Sequence, residues 1–134
     1  MGKIQDFLSK REISSETREV NVTGIPFPFV IRAIGQEENK VIKKTCTKTY
    51  TDKKSGQRIT ETDVDAYNNK LIAACCVEPN FKDAAWQADN GVMGEEALIE
   101  KVLKPGEFLE LVIAIQSICG FDADINDEIE AAKN

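Results

Sequence analysis

The sequence predicts an α+β fold, in which a small N-terminal β-strand or hairpin element packs against a bundle of about four to five helices. The chain has 134 residues, a length that suits a single domain over residues 1–134. Its apolar fraction of 42% is enough to build a hydrophobic core. Strand-like alternation occurs in the first half, whereas the second half has the apolar spacing that is typical of helices.

The first third of the chain carries two strand patterns. Residues 19–23 alternate polar with β-branched side chains, and residues 27–34 form a second, more apolar run. Pro28 has no N–H group for a β-ladder, so we place it at the beginning of the second strand or at a sheet edge. Before these strands, apolar residues at helical spacing predict a short helix at residues 4–8, within a terminal segment, 1–18, that we expect to be flexible.

Residues 36–47 are compatible with either a helix or a strand. The acidic residues precede the lysines, as the helix dipole favours, but the threonines that follow favour a strand. We predict a helix and then a β-hairpin, whose turn lies at residues 54–57 and whose second arm covers residues 58–60.

The second half of the chain predicts a series of helices. The first is capped by Thr62 and carries an apolar stripe. It ends just beyond Val77, because Pro79 cannot continue a helix. Further helices are predicted over residues 82–88, 94–103 and 124–133.

The most apolar helix is predicted between Pro105 and Gly120, with Gly120 at the C′ position. One of its faces is apolar throughout, and Leu109 and Ile113 add a second apolar face. A helix that is apolar on more than one face is either central to a core or covered by a partner. The first face consists of Phe108, Leu111, Val112, Ile115, Ile118 and Cys119.

The composition argues against an enzyme or a metal protein. The chain contains no histidine, which removes the commonest general base and the commonest metal ligand. It also lacks phosphate-binding glycine loops and paired C-x-x-C zinc motifs. Residues 122–126 imitate the start of an EF-hand loop, but Asp127 replaces its glycine and Lys133 its closing glutamate. We therefore expect no catalytic residue, no metal and no cofactor, and a carboxylate enzyme is the last alternative.

The cysteines and the start of the chain indicate a cytoplasmic protein. The first residues lack the apolar core of a signal peptide, and no apolar run is long enough to cross a bilayer. In a reducing compartment the four cysteines are better interpreted as small buried apolar residues than as disulfides. Since Cys75 and Cys76 are adjacent on one predicted helix, we expect one of them to be partly exposed or at an interface.

Charge is distributed unevenly along the chain. Residues 1–62 contain 12 Lys and Arg against 8 Asp and Glu, residues 63–134 contain 5 against 15, and the net charge is −6. The most basic stretch, residues 40–58, has Tyr50 as its single aromatic side chain, which is few for stacking on bases. We interpret it as a solvated hairpin face or, if functional, as a contact for the acidic half of a neighbouring copy. A nucleic-acid partner is not expected, and a nucleic-acid module that uses residues 40–58 ranks third among the alternatives, ahead of an enzyme.

The segment that begins at Cys76 carries a recognisable order of motifs. Cys76-Val77-Glu78-Pro79-Asn80-Phe81 is followed by Trp86-Gln87, Gly91, Leu98, Leu103, Pro105-Gly106-Glu107 and Gly120-Phe121. This succession resembles the XkdN-like phage tail assembly chaperones, and the resemblance covers most of the chain from about Glu19.

The resemblance implies a non-enzymatic role in building a phage tail in the cytoplasm of the bacterial host. Proteins of this class bind the tape measure protein, a long and largely helical chain, before the tail tube polymerises around it. They are absent from the finished tail, and the tail tube protein is a further implied partner. The alternative is a structural minor tail protein that stays in the particle.

Two apolar segments are candidates for the contact with such a partner. One is the helix after Pro105, because it has more apolar surface than a single face can bury. The other surrounds Trp86, the only tryptophan, which is either a core anchor or a binding hot spot. The candidate residues are Phe81, Trp86, Phe108, Leu109, Val112, Ile113 and Phe121.

Overall fold

The computed structural model describes residues 2–121, and all elements below belong to that part of the chain. The first half contains α1 (Lys3–Lys10), a 3-10 turn (Ile13–Ser15), β1 (Thr17–Val20), β2 (Phe29–Arg32), α2 (Gln36–Thr45), β3 (Thr47–Thr51) and β4 (Arg58–Thr62). The second half contains α3 (Val64–Cys75), β5 (Cys76–Glu78), α4 (Ala84–Asp89), α5 (Glu95–Val102) and α6 (Pro105–Ile118). The predicted α+β fold with a helical second half is confirmed.

The strands form two antiparallel sheets. In the first, β2 lies between β1 and β5, and Val20 of β1 pairs with Phe29 of β2. In the second, β3 and β4 form the predicted hairpin, in which Thr47 pairs with Thr62. Pro28 lies immediately before β2, so the central strand does not lose a ladder hydrogen bond to it.

The hydrophobic core lies between the three-stranded sheet and the helices. Helix α3 packs against both α5 and α6, and α6 also contacts β1 and β2. Ile31 of β2, Leu71 of α3 and Ile115 of α6 are fully buried there. Asn69 of α3, buried as well, donates from Nδ2 to Glu100 Oε1 of α5 at 3.2 Å. Helix α1, by contrast, has no buried residue.

The first sheet has a third strand that the apolar spacing does not predict. The helix predicted to run beyond Val77 ends at Cys75, and β5 begins at Cys76. Both cysteines are buried in the core, so the expectation that one of them is partly exposed or at an interface is wrong. A continuous helix rotates successive side chains by about 100°, whereas the change from helix to strand lets both thiols point into the core.

The cap of α3 is one residue later than predicted. Thr62 is the last residue of β4, and the helix is capped by Asp63, whose carboxylate accepts a hydrogen bond from the backbone N–H of Ala66 at 3.1 Å. A carboxylate at this position satisfies a free N–H group and also interacts favourably with the helix dipole.

The end of α6 has the predicted glycine cap. Gly120 has a φ of +85°, a conformation in which a side chain would be strained. The N–H of Phe121 donates to the carbonyl of Gln116 at 2.8 Å, and that of Gly120 to Ser117 at 3.1 Å, which is a Schellman motif. The motif ends α6 and turns the chain away from the helix axis.

The remaining predicted elements are confirmed with small shifts of their ends. β1 and β2 correspond to the strands predicted at 19–23 and 27–34, and α4 and α5 to the helices at 82–88 and 94–103. Helix α4 begins later than predicted because Asp83 caps it, accepting from the backbone N–H of Ala85 at 2.9 Å. The helix predicted at 124–133 and the EF-hand-like segment lie outside the described residues.

Candidate partner-binding surface

Helix α6 has an inner face that is fixed in the core. Leu111 and Ile115 on this face are fully buried. Pro105 occupies the first helical position, and the carboxylate of Glu107 accepts a hydrogen bond from the backbone N–H of Lys104 at 2.8 Å. The helix is therefore packed along its inner side, and its N-terminus is capped.

A second, polar face of α6 is bonded to β1 and to the loop that follows it. The backbone N–H of Thr23 donates to Glu110 Oε2 at 2.9 Å, and Arg18 Nη1 donates to Ser117 Oγ at 3.2 Å. Glu110 and Ser117 are about two helical turns apart, so they lie on the same side of the helix. These contacts restrict rotation of α6 about its own axis.

The third face of α6 is apolar and exposed to solvent. Leu109 is 57% exposed and Ile113 is 55% exposed. Residues separated by four positions are neighbours on a helix surface, so the two side chains form one apolar patch. Because the other two faces are already in contact with the protein, this patch can accept a partner without any change in the fold.

A second apolar feature is a groove of about 390 Å³ beside Trp86. Phe81 is fully buried at its floor, and its ring stacks on that of Trp86 with the centroids 5.2 Å apart. Phe27 lines the groove from a loop and is 74% exposed. The other lining residues are Ile25, Pro28, Phe29, Glu78, Pro79, Val102 and Leu103.

Local hydrogen bonds hold Trp86 in this position. Asp83 caps α4 by accepting from backbone N–H groups of the first turn, including that of Trp86 at 3.4 Å. Gln87 Nε2 donates to the carbonyl oxygen of Phe81 at 3.0 Å. The indole is therefore held by the same short segment that provides the floor of the groove.

The structure divides the seven predicted contact residues into three groups. Phe81 and Val112 belong to the hydrophobic core and support the surface from below. Neither can touch a partner unless the core opens. Half-buried positions are occupied by Trp86, Phe108 and Phe121, and exposed positions by Leu109 and Ile113.

Two contact candidates are absent from the sequence prediction. Leu103 lines the groove beside Trp86 and also a pocket next to Phe108, so apolar surface continues from the groove to the first turns of α6. Phe27 is the second. Its position between Pro26 and Pro28 was the available signal, since an aromatic side chain in a rigid surface loop often serves binding.

The buried thiols provide no reactive group at this surface. Cys46, Cys75 and Cys76 are buried, Cys119 is half-buried at the end of α6, and all four are unbridged. Burial raises the pKa of Cys76 to about 12. The hydrogen bond to Cys119 and burial together raise the pKa of Cys75. Since the thiolate is the nucleophile, the raised pKa values make Cys75 and Cys76 poor nucleophiles at neutral pH.

Apolar contact is therefore the main interaction that the patch of Leu109 and Ile113 and the groove beside Trp86 can make with a partner. Within residues 2–121, no group of three or more His, Cys, Asp or Glu side chains is arranged to hold a metal ion. Among the helices of the same range, none combines the length and the apolar character needed to cross a bilayer.

Comparison with known proteins agrees with the order of motifs from Cys76 onward. The model of the family described as phage XkdN-like tail assembly chaperone proteins matches residues 4–133. The chain belongs to this family. It is therefore a phage tail assembly chaperone by family, with proteins of the phage tail as its general partners, and such a role does not require catalysis.

The chaperone is similar to a protein of known structure. It is 30% identical over 124 residues to YqbN of Bacillus subtilis (strain 168), an alignment that covers 92% of this chain and 83% of YqbN. A crystal structure of the protein YqbN superposes with a TM-score of 0.64, covering 90% of this chain and 98% of that one at 18% identity. The superposition supports the fold described above.

Proposed function

We propose that the protein binds the tape measure protein of its phage tail and keeps that protein soluble until the tail tube assembles around it. Family membership supports a role in tail assembly. The observation that carries the finer proposal is the exposed patch of Leu109 and Ile113 on a helix whose inner face lies in the core.

The patch fits the chemistry of such a client. A long helical chain that lacks its tube exposes apolar stripes, which aggregate when they remain uncovered. Leu109 and Ile113 form a short apolar strip of their own, and the groove beside Trp86 provides a second one. Apolar strips on both proteins are buried together when an amphipathic helix lies in a groove.

Release is as important as binding for an assembly chaperone. Each contact surface is small, so a single copy binds weakly, but several copies along one long client hold it by avidity. Arriving subunits of the tail tube protein can then displace the copies one at a time. We therefore place the protein in the host cytoplasm during assembly and outside the finished particle.

Co-expression with the tape measure protein tests the proposal directly. The wild-type chain should raise the soluble fraction of the tape measure protein and co-purify with it. The double variant Leu109→Ser/Ile113→Ser should lose at least about tenfold in affinity, because it removes the apolar patch. Thermal unfolding of the free variant should remain cooperative, since neither side chain is buried.

A matched control separates this patch from exposed apolar residues in general. Val64→Ser alters a β-branched residue of α3 that is as exposed as Ile113 but lies on another helix, so it should bind like the wild type. A double variant that folds and still binds fully would refute the patch. Finding the chain as a stoichiometric part of purified tails would refute the chaperone role and favour a structural minor tail protein.

A further inference from the structure

A pocket of about 300 Å³ lies where the first turns of α3 meet the end of α5 and the start of α6. Apolar side chains of α5 and α6 form one part of its wall, and two exposed carboxylates, one from α3 and one from α5, form another. We name it the Asn69 pocket after its buried polar residue. Its lining consists of Asp65, Asn69, Ile99, Glu100, Leu103, Pro105 and Phe108.

Asn69 has an unused hydrogen-bond acceptor. Its side chain is only 4% exposed, and its Nδ2 donates to Glu100 Oε1 at 3.2 Å. Its Oδ1 has no hydrogen-bond partner among residues 2–121. Buried polar atoms nearly always have a partner, because leaving one unpaired is costly. Asp65 precedes Asn69 by four positions and therefore lies on the same side of α3.

The chemistry of this lining selects a cation with an apolar stem. Ionised Asp65 and Glu100 only accept hydrogen bonds, and the amide nitrogen of Asn69 already donates to one of them. An anion would be repelled, whereas a positively charged donor is attracted. A metal ion would leave the apolar wall unused, and no metal-holding group of three or more His, Cys, Asp or Glu occurs within the described residues 2–121. Lysine and arginine combine a charged head with a stem that packs on apolar surface.

We propose that the Asn69 pocket binds a lysine or arginine side chain of the tape measure protein. The stem packs against Leu103 and Phe108, and the head donates to the two carboxylates and to Asn69 Oδ1. Since Leu103 also lines the groove beside Trp86, an apolar stripe lying in that groove can place a neighbouring basic residue in the pocket. The pocket thereby selects stripes flanked by basic residues. The identity of the client rests on the proposed function, whereas the class of ligand rests on the pocket.

An NMR titration of the full chain with N-acetyl-lysine amide tests the pocket without any client. The signals of the Asn69 side-chain amide and of the backbone around it should shift, with a Kd of about 1–10 mM for so small a ligand. N-acetyl-norleucine amide has an apolar stem but no ammonium group and should bind at least about fivefold more weakly. Equal binding of the two compounds would overturn the proposal. So would an absence of shifts with the lysine compound up to about 50 mM.

The double variant Asp65→Asn/Glu100→Gln tests the pocket with the tape measure protein itself. It removes both charges, keeps the size of the side chains and leaves an oxygen at position 100 for Asn69 Nδ2. Exposed ion pairs each contribute little, so binding should weaken about three- to tenfold at low ionic strength. The difference from the wild type should shrink at high ionic strength, because salt screens exposed charges. A folded variant that binds fully at low ionic strength would overturn the proposal.

The salt dependence separates this proposal from the proposed function. Leu109→Ser/Ile113→Ser removes an apolar contact and should weaken binding at every salt concentration. If that variant loses binding and the pocket variant does not, the pocket is refuted and the patch on α6 stands. If the wild-type chain does not bind the tape measure protein at all, the proposed function and the named occupant both fail, and the titration with N-acetyl-lysine amide still tests the class of ligand.

A matched control and a cross-linking measurement complete the test. Glu12→Gln/Asp89→Asn makes the same change of net charge at two exposed positions outside the lining and should bind like the wild type. A photo-activated cross-linker at Lys104, an exposed residue beside Pro105, should join a lysine- or arginine-containing segment of the tape measure protein. Cross-links to Lys133 of the same chain, or only to a second copy, would identify a different occupant and overturn the proposal.

Discussion

The two apolar faces of α6 carry the same kinds of side chain and differ in what covers them. Leu111 and Ile115 are fully buried, whereas Leu109 and Ile113 are more than half exposed. Burial of apolar surface stabilises the folded state, so the inner pair contributes to the free energy of unfolding and the outer pair contributes little. Stability and partner binding therefore reside in separate side chains of one helix and can be changed separately.

The groove beside Trp86 repeats this comparison with aromatic rings. Phe81 is fully buried beneath the indole and Phe27 is mostly exposed, although both line the same groove. A ring in the floor determines whether the groove exists, and a ring that lines it from outside determines what the groove can hold. The following predictions compare, for each pair, the effect of changing the buried side chain with the effect of changing the exposed one.

Phe81→Ala is expected to have the largest effect on folding. Deleting a buried ring leaves a cavity and should cost about 3–5 kcal/mol of unfolding free energy. Phe27→Ala removes the same side chain from an exposed position and should cost less than about 0.5 kcal/mol. Urea denaturation followed by circular dichroism measures both values. Similar losses for the two variants would mean that Phe27 is packed in solution, and the comparison would fail.

Leu111→Ala and Leu109→Ala test the two faces of α6 with an identical substitution. The inner change should lower the unfolding free energy by about 2–5 kcal/mol, and the outer one by less than about 0.5 kcal/mol. Binding of the tape measure protein, measured with the folded variants, should follow the reverse order. If Leu109→Ala destabilises the chain as much as Leu111→Ala, the outer face is part of the core and cannot serve a partner.

The division of α6 into two apolar faces could be predicted from the sequence. Leu109 and Ile113 have the same four-residue spacing as Leu111 and Ile115 but are offset from them by two positions, which places the two pairs on different faces of the helix. Periodicity shows that two faces exist, but it does not show which neighbours cover them. The contact of Glu110 with the loop after β1, which fixes the rotation of α6, depends on tertiary packing.

The third strand of the first sheet could not be predicted for a related reason. Residues 76–78 continue an apolar run directly from α3, and single-sequence patterns do not distinguish a short buried strand from the end of a helix. The strand exists because β2 presents a free edge at that point, a fact of topology. The predicted cap of α3 is a smaller error of the same type. Thr62 is the last residue of β4, so Asp63 occupies the cap position instead.

The groove beside Trp86 was recognised only in part. Trp86 and Phe81 are close in sequence, and their local motif made both of them candidates. Phe27 and Leu103 join the groove from distant positions, through the loop before β2 and the end of α5. Contacts between segments that are far apart in sequence cannot be inferred without the fold, whereas contacts within one short segment can.

Cys76 and Cys119 extend the comparison of inner and outer positions to chemical reactivity. The pKa of Cys76, raised to about 12 by burial, implies a thiolate fraction about a thousandfold below that of an ordinary thiol with a pKa near 9. Native protein treated with iodoacetamide at mildly alkaline pH should therefore be modified at Cys119, which is half-buried, and hardly at all at Cys76. Peptide mass spectrometry identifies the site.

Unfolding should remove the difference between the two thiols, because the loss of burial returns Cys76 to the ordinary thiol range, near 9. In urea, both cysteines should then react at similar rates, and both rates should rise with pH up to that range. Fast alkylation of Cys76 in the native protein would mean that the junction of α3 and β5 opens in solution. The buried side chains of the native protein would then be accessible to solvent. In that case the exposure of Leu109 and Ile113 would be as consistent with loose packing as with a binding surface.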